Sequence, residues 1–163
     1  MIVLARIDDR LIHGQVVEGW VNYLKATCIL VADDGVAANS MQRSIMELAV
    51  PQGIQVAIGR VEEICEQART PALHAERIIL LFSNPTDVLR GLKAGLECPE
   101  LNIGGMHYLP GKSKLMDVLA VDDADRNALK EICGQGVRVC IQTVPTQRRM
   151  MLSEVFDACH PQE

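Results

Sequence analysis

Residues 77–86 read Arg77-Ile78-Ile79-Leu80-Leu81-Phe82-Ser83-Asn84-Pro85-Thr86. The run that follows Arg77 is almost unbroken in aliphatic side chains, which is typical of a β-strand covered on both faces. Ser83 to Thr86 are turn-forming residues that end this strand, and the pattern beyond them predicts a helix from Asp87 to Ala94. A buried strand that leads directly into a helix is typical of a parallel sheet.

The rest of the chain alternates in the same way on both sides of this unit. Further strands are predicted at residues 2–7, 28–32, 54–58, 101–105 and 137–142. Further helices are predicted where apolar side chains recur at helical spacing, from Gln15 onward and over residues 38–49, 60–69, 123–133 and 152–159. Residues 107–121 contain a Pro-Gly turn and are predicted to form a hairpin or an edge excursion.

This alternation predicts an α/β fold, with a mostly parallel central sheet, helices on both faces, and a short hairpin or antiparallel edge strand. No linker or repeat interrupts the sequence, so one domain spanning residues 1–163 is expected. Ligands bind such sheets beyond the carboxyl ends of the strands. Four polar or glycine-rich loops should therefore meet at that edge, namely residues 8–14, 33–35, 83–86 and 104–107.

The composition excludes several classes of protein. The net charge of −5 argues against a nucleic-acid-binding surface. No apolar run reaches the roughly 18 residues that cross a bilayer, and the N-terminus lacks a secretory signal, so a cytoplasmic location is expected. None of the six cysteines forms a Cys-x-x-Cys pair. We therefore expect free thiols, no metal site and no cofactor.

The loop after the first strand carries the richest chemistry, in the segment Arg6–Gln15. His13 stands immediately before a predicted helix, where free N–H groups and the helix dipole favour an anion such as phosphate. Gly14 lets an anion approach the backbone closely, and Gly14 and Gln15, at the start of the helix, are predicted to bind the phosphate. The planar guanidinium of Arg10 can clamp two phosphate oxygens. His13 is thus a candidate nucleophile for phosphoryl transfer.

Two aspartates precede Arg10 in this loop. Neither carboxylate can face a phosphate directly without repulsion. We expect Asp8 to hold Arg10 or the loop backbone in place and Asp9 to cap the turn. From the residues alone, an ordinary surface histidine is the favoured alternative for His13, and a domain that only binds an anion is another. Nucleotide binding is disfavoured, because no phosphate-binding glycine motif follows the first strand.

Four segments together resemble a known family over nearly the whole chain. They are Ile2–Val16, Leu81–Val88, Asn102–His107 and Ala120–Asp123, in that order. The chain resembles the IIB component of the mannose/fructose/sorbose family of the bacterial phosphoenolpyruvate-dependent sugar phosphotransferase system. The resemblance is looser over residues 111–119 and 146–163, which leaves the identity of the partners open.

The resemblance implies a phosphotransferase that carries phosphate on a histidine. His13 would receive the phosphoryl group on Nδ1 from a IIA partner and pass it to a sugar held by the membrane components IIC and IID. Arg10 would assist the phosphoryl group and Asp8 would support the loop. The same resemblance leaves open a regulatory phosphocarrier that moves no sugar, a homodimer, and an association with the inner face of the membrane.

Two further loops are predicted to form the rim of the site. Asn84, Pro85 and Thr86 follow the strand of residues 77–82, and Gly104 and Gly105 follow that of residues 101–105. A plain turn is an equal alternative for the first loop, and tight backbone geometry is the favoured alternative for the two glycines. The sugar itself is not readable from the sequence.

Overall fold

The computed structural model describes residues 1–157. Its strands are β1 (Ile2–Asp8), β2 (Cys28–Ala32), β3 (Gln55–Gly59), β4 (Ile78–Phe82), β5 (Glu100–Gly105), β6 (Ser113–Met116), β7 (Leu119–Val121), β8 (Arg138–Ile141) and β9 (Met150–Met151). Its helices are α1 (Gln15–Trp20, π-helical, continuing as Val21–Leu24), α2 (Asp34–Ala37), α3 (Ser40–Ala49), α4 (Val61–Gln67), α5 (Pro85–Lys93) and α6 (Asp123–Gly134). Short 3₁₀ turns occur at Pro71–Leu73 and Leu152–Glu154.

Seven strands form the central sheet in the order β3-β2-β4-β1-β5-β8-β9. All neighbours in it run parallel except β9, which pairs antiparallel with β8 at the edge. Strands β6 and β7 form a separate antiparallel pair. The predicted α/β class is confirmed, and both the hairpin and the antiparallel edge strand are present.

The central strand β4 explains why the sheet is covered on both faces. Its side chains alternate between two apolar clusters, as the two-residue period of a strand requires. Ile78, Leu80 and Phe82 join the cluster beneath α4, α5 and α6, while Ile79 and Leu81 join the cluster beneath α1, α2 and α3. All five are fully buried.

The helical spacing over residues 38–49 predicts one apolar face, but most of that face of α3 does not pack against the core. Met41 and Ile45 are 74% and 61% exposed, and Met46 packs against the core as a half-buried side chain. The helix also begins at Ser40, after the separate short helix α2, because Asn39 accepts a hydrogen bond from the Gln42 N–H and so caps α3.

The helix predicted over residues 152–159 is wrong in its described part. Leu152–Glu154 form a single 3₁₀ turn after β9, and the last residues of that prediction lie beyond residue 157. A fully buried Leu152 and a buried Phe156 attach this segment to the core. These two contacts hold the segment in place without a regular helix.

Four cysteines are free thiols as expected, namely Cys28, Cys65, Cys98 and Cys140. Cys133 corrects the expectation, because it is disulfide-bonded. Cys159 lies outside the described residues. Within residues 1–157, no helix is both long enough and apolar enough to cross a membrane.

Candidate functional site

Asp8, the last residue of β1, is the centre of the candidate site. Its side chain is fully buried, which is unusual for a carboxylate and requires compensating donors. Oδ2 lies 2.9 Å from His13 Nε2 and accepts a hydrogen bond from Arg6 Nη2 at 3.1 Å. Oδ1 accepts hydrogen bonds from the backbone N–H and the Nε of Arg10, at 3.1 and 3.3 Å.

These donors keep Asp8 ionised despite its burial. Burial alone would raise the pKa of the Asp8 carboxyl. The hydrogen bond and charge of His13, the charge of Arg6 and the backbone N–H of Arg10 together outweigh that effect and lower the pKa to about 2. At neutral pH the group is therefore a carboxylate that can only accept hydrogen bonds.

The ionised state of Asp8 defines which nitrogen of His13 is reactive. Because the carboxylate accepts, Nε2 must carry the proton in this pair. The lone pair of a neutral His13 ring is then on Nδ1, the nitrogen that attacks an electrophile. The His13 side chain is 16% exposed, so the ring is held against the loop yet can be reached from outside.

Arg10 stands at the surface beside this pair, with its side chain 43% exposed. Its Nε contacts Asp8, and its Nη2 donates to Gln15 Oε1 at 3.0 Å. Gln15 therefore orients Arg10, and its contact with phosphate stays a prediction. The guanidinium is held on two sides, and no described residue accepts a hydrogen bond from its Nη1, which leaves donors for anionic oxygens.

The backbone between Arg10 and α1 is folded tightly. Leu11 adopts a left-handed conformation with φ of 57°, which an L-residue adopts only at a cost, and its buried side chain anchors it. The N–H groups of Val16 and Val17 both donate to the carbonyl of His13. Within residues 1–157, the backbone N–H groups of Ile12 and Gly14 form no backbone hydrogen bond apart from those inside helices and strands. A Cβ added to Gly14 would meet open space.

A buried arginine supports the whole arrangement from below. Arg6 is fully buried on the same face of β1 as Asp8 and lies 5.3 Å from the centre of the Trp20 ring. Its Nη1 donates to Asn102 Oδ1 and to the carbonyl of Gln142, and its Nη2 donates to the carbonyl of Thr143 as well as to Asp8. Burial lowers the pKa of Arg6, and the Asp8 carboxylate opposes that effect.

A family model described as the sorbose-subfamily IIB component of the phosphotransferase system matches residues 2–162. The chain belongs to this family of phosphotransferase IIB components.

Individual relatives agree with this assignment. The chain is 36% identical over 146 residues to the N-acetylgalactosamine-specific phosphotransferase enzyme IIB component 2 of Escherichia coli K12, covering 90% of this chain and 92% of the relative. It superposes on the crystal structure of the IIBSor domain of the sorbose permease from Klebsiella pneumoniae with a TM-score of 0.91, at 32% identity and with 99% of each chain covered.

One group of relatives is longer than this chain. The mannose-specific EIIAB component of E. coli K12 is 33% identical over 156 residues, which cover 96% of this chain and 48% of that protein. The chain thus spans about half the length of these curated relatives and corresponds to a IIB unit within them.

The predicted rim residues after β4 lie at a hydrogen-bonded cluster that includes Asp33, Ser83 and Asp87. Asn84 caps α5 by accepting from the Asp87 N–H, and it donates to Ser83 and Asp87. Ser83 in turn donates to Asp33 at 2.6 Å. Pro85 is buried at the first turn of α5, directly before Thr86. No hydrogen bond joins this cluster to residues 8–14 in the described part of the chain, and the rim role of Asn84, Pro85 and Thr86 stays a prediction.

The two predicted rim glycines leave space for side chains at the site. A Cβ on Gly104 would overlap the guanidinium of Arg6, so only glycine allows Arg6 to lie there. A Cβ on Gly105 would stand 3.0 Å from His107 Cε1 and 3.5 Å from Asp8 Oδ1. This close packing is the favoured alternative for both glycines, and their place in the rim stays a prediction.

The structure adds residues that the sequence reasoning did not single out. Arg6 and the loop of residues 142–147 complete the support of Asp8, and Gln142 and Thr143 contribute backbone carbonyls. A charged residue two positions before Asp8 in an otherwise apolar strand was the available signal, since residues i and i+2 share a face. Within residues 1–157, no group of three or more His, Cys, Asp and Glu side chains is placed to hold a metal ion.

Proposed function

We propose that the chain is the IIB phosphotransferase of a sugar uptake system. It accepts a phosphoryl group on Nδ1 of His13 from a phosphohistidine of a IIA protein and transfers it to a sugar presented by the membrane components IIC and IID. The observation that carries this proposal is the buried Asp8 carboxylate, which holds Nε2 of His13 and leaves Nδ1 as the nucleophile.

The first transfer follows from this geometry. The Nδ1 lone pair attacks phosphorus while the P–N bond of the donor breaks, and its electron pair remains on the donor imidazole. The His13 ring becomes an N-phosphorylated imidazolium, whose charge the Asp8 carboxylate stabilises through Nε2–H. Arg10 and the amides around Gly14 offset the negative charge on the phosphoryl oxygens.

The second transfer reverses the roles. A sugar hydroxyl oxygen forms a bond to phosphorus as the bond to Nδ1 breaks, and the electron pair returns to Nδ1. The hydroxyl proton leaves to a base or to solvent. Asp8 keeps Nε2–H in place throughout, so that the His13 ring has one orientation for both reactions.

The names of the relatives favour uptake over a purely regulatory phosphocarrier, because each names a sugar or a sugar permease. A location on the cytoplasmic side of the membrane, in contact with IIC and IID, belongs to this proposal. A homodimer remains a prediction from the family resemblance, and light scattering of the purified chain would decide it.

Phosphorylation of His13 is tested by incubating the chain with phosphorylated IIA protein that carries ³²P. Wild type should gain an acid-labile, alkali-stable label, as expected for a phosphoramidate, and His13→Ala should gain none. His74→Ala is the matched control, because His74 is exposed and lies outside the site. A label that persists in His13→Ala would place the acceptor elsewhere. Stable binding of IIA or phosphate without a covalent label would support an anion-binding domain instead.

A further inference from the structure

The loop of residues 107–112, which follows β5, is fastened to the loop that carries His13. The backbone N–H of Asp9 donates to the carbonyl of Gly105 at 3.0 Å. The Asp9 carboxylate accepts from the backbone N–H of His107 at 2.7 Å and pairs with its Nδ1 at 2.6 Å. Three contacts thus fix the start of this loop beside the proposed phosphoryl acceptor, and none of them is part of the transfer chemistry.

The other end of the loop is fixed as well. Lys112 Nζ lies 2.9 Å from Asp125 Oδ2, and both side chains are largely buried. The backbone N–H of Lys112 also donates to the carbonyl of Leu109 at 3.0 Å, which closes a turn. Residues 108–110, which lie between these anchors, form the tip of the loop.

The tip presents apolar side chains to solvent. Tyr108 is 59% and Leu109 is 58% exposed, and Pro110 is exposed beside them. A single exposed leucine is ordinary in a soluble protein. Here an aromatic and an aliphatic side chain stand together on a loop held at both ends, so they need little further ordering when a partner covers them.

We propose that the tip is the docking surface for the phosphohistidine donor protein, an inference that rests on the proposed function. His13 is 16% exposed, and a donor histidine has a short side chain. The backbone of the donor must therefore lie against the rim of the His13 loop for phosphorus to pass between the two rings. Asp9 joins the tip to that rim, so a donor in position for transfer covers Tyr108 and Leu109.

Among residues 1–157, the other large exposed apolar side chains are Met1, which precedes β1 at the end opposite Asp8, and four on the flank of the sheet. Tyr23 is on α1, and Met41, Ile45 and Leu48 are on α3. Both helices pack over one face of the sheet, whereas the His13 loop lies beyond the strand ends. Tyr23 and Leu48 match Tyr108 and Leu109 in residue type and are at least as exposed, so they serve as controls.

The test compares Tyr108→Ser/Leu109→Ser with Tyr23→Ser/Leu48→Ser in the full chain. Phosphorylated IIA protein is the donor in one assay, and phosphoramidate, a small donor without a protein surface, is used in the other. The tip variant should raise KM for IIA by about tenfold or more, with kcat within about twofold of wild type. Its labelling by phosphoramidate should equal that of wild type, and the flank variant should match wild type in both assays.

The outcomes separate this inference from the function on which it rests. An unchanged KM for IIA in the tip variant would overturn the docking surface while leaving the carrier function intact. A raised KM in the flank variant alone would place donor docking on α1 and α3. Loss of transfer to the membrane components without a change in KM for IIA would assign the tip to them and overturn the proposal. Failure of IIA to label wild type on His13 would refute the function itself.

Discussion

The Asp8 carboxylate is both buried and charged, and three basic side chains stabilise its negative charge. Arg6 and Arg10 contact it from β1 and the loop, and His13 Nε2 contacts it from the start of α1. Removal of one partner from a buried pair is costly, because the remaining charge is left without compensation. The same carboxylate that stabilises the loop therefore also orients the reactive ring.

Substitution of Asp8 should make the pH dependence of stability visible. The pKa is about 2 in the folded chain and 3.8 for a free carboxyl, so ionised Asp8 stabilises the fold above about pH 4. This contribution, about 2 kcal/mol, is lost as the pH falls through 2. Asp8→Asn should have an unfolding free energy about 3 kcal/mol lower than that of wild type at pH 7, measured by urea unfolding. Between pH 5 and pH 3, the unfolding free energy of Asp8→Asn should fall by less than that of wild type.

Asp117→Asn is the matched control for that measurement, since the Asp117 side chain is 95% exposed. It should follow the wild-type pH dependence. If Asp8→Asn shows the same loss of stability on acidification as wild type, the low pKa of Asp8 is not the cause of that loss.

We expect a glycine at position 14 to be needed for the approach of the phosphoryl group, and not for folding. Its φ of −50° suits any residue, and a Cβ there meets no protein atom within 4 Å. Gly14→Ala should leave the unfolding free energy within about 1 kcal/mol of wild type or raise it, because alanine favours a helix. Labelling by IIA should slow at least tenfold, as expected if about 1.4 kcal/mol of transition-state stabilisation is lost.

Gly134→Ala provides the comparison, because Gly134 also faces open space and ends α6. It should label at the wild-type rate. Equal rates for Gly14→Ala and Gly134→Ala would show that the phosphoryl group does not lie against Gly14.

Among the elements, α1 connects the reactive loop to the far side of the site. Its first six residues are π-helical, and the segment ends at Trp20, whose ring lies against Arg6. Trp20 Nε1 donates to the carbonyl of Thr143 at 3.0 Å. The wider turn of a π-helix is often found at functional sites. Here one helix fixes His13 at its start and closes over the buried arginine at its end.

The cap of α5 tests whether the loop after β4 belongs to the site. Asn84→Ala should cost about 1 kcal/mol in unfolding free energy, since an Asn side chain accepts from the third residue of the helix. Its labelling rate should stay within twofold of wild type. Asn39→Ala removes the equivalent cap of α3 and should behave alike in both assays. If Asn84→Ala is labelled more slowly than wild type while Asn39→Ala is not, Asn84 belongs to the rim of the site.

At the scale of the whole molecule, β4 couples two cores. Leu80 and Leu81 are both fully buried and point into opposite apolar clusters. Leu80→Ala and Leu81→Ala should each lower the unfolding free energy by about 3 kcal/mol. Because one strand belongs to both clusters, tryptophan fluorescence and circular dichroism should report one shared transition for each variant. Two separated transitions in either variant would show that the two faces unfold independently.

The amino-acid sequence by itself determined the order of strands and helices. Short-range periodicity carries that information, and the aliphatic run of β4 and the helical spacing of α1 and α6 are local patterns. It also determined that His13, Arg10 and Asp8 share one loop, because they are five residues apart at most. The 3₁₀ turn at Leu152–Glu154 was missed, since two buried side chains outweigh weak local preferences there.

Only the tertiary structure decided which distant residues complete the site. Arg6 reaches the carbonyls of Gln142 and Thr143 across more than 130 positions of sequence, and Asp9 reaches His107 across 98. Such contacts depend on strand order, which places β1 beside both β4 and β5. A buried charge must find its partners among whatever groups that order brings within a few ångströms, and no local pattern along the chain records them.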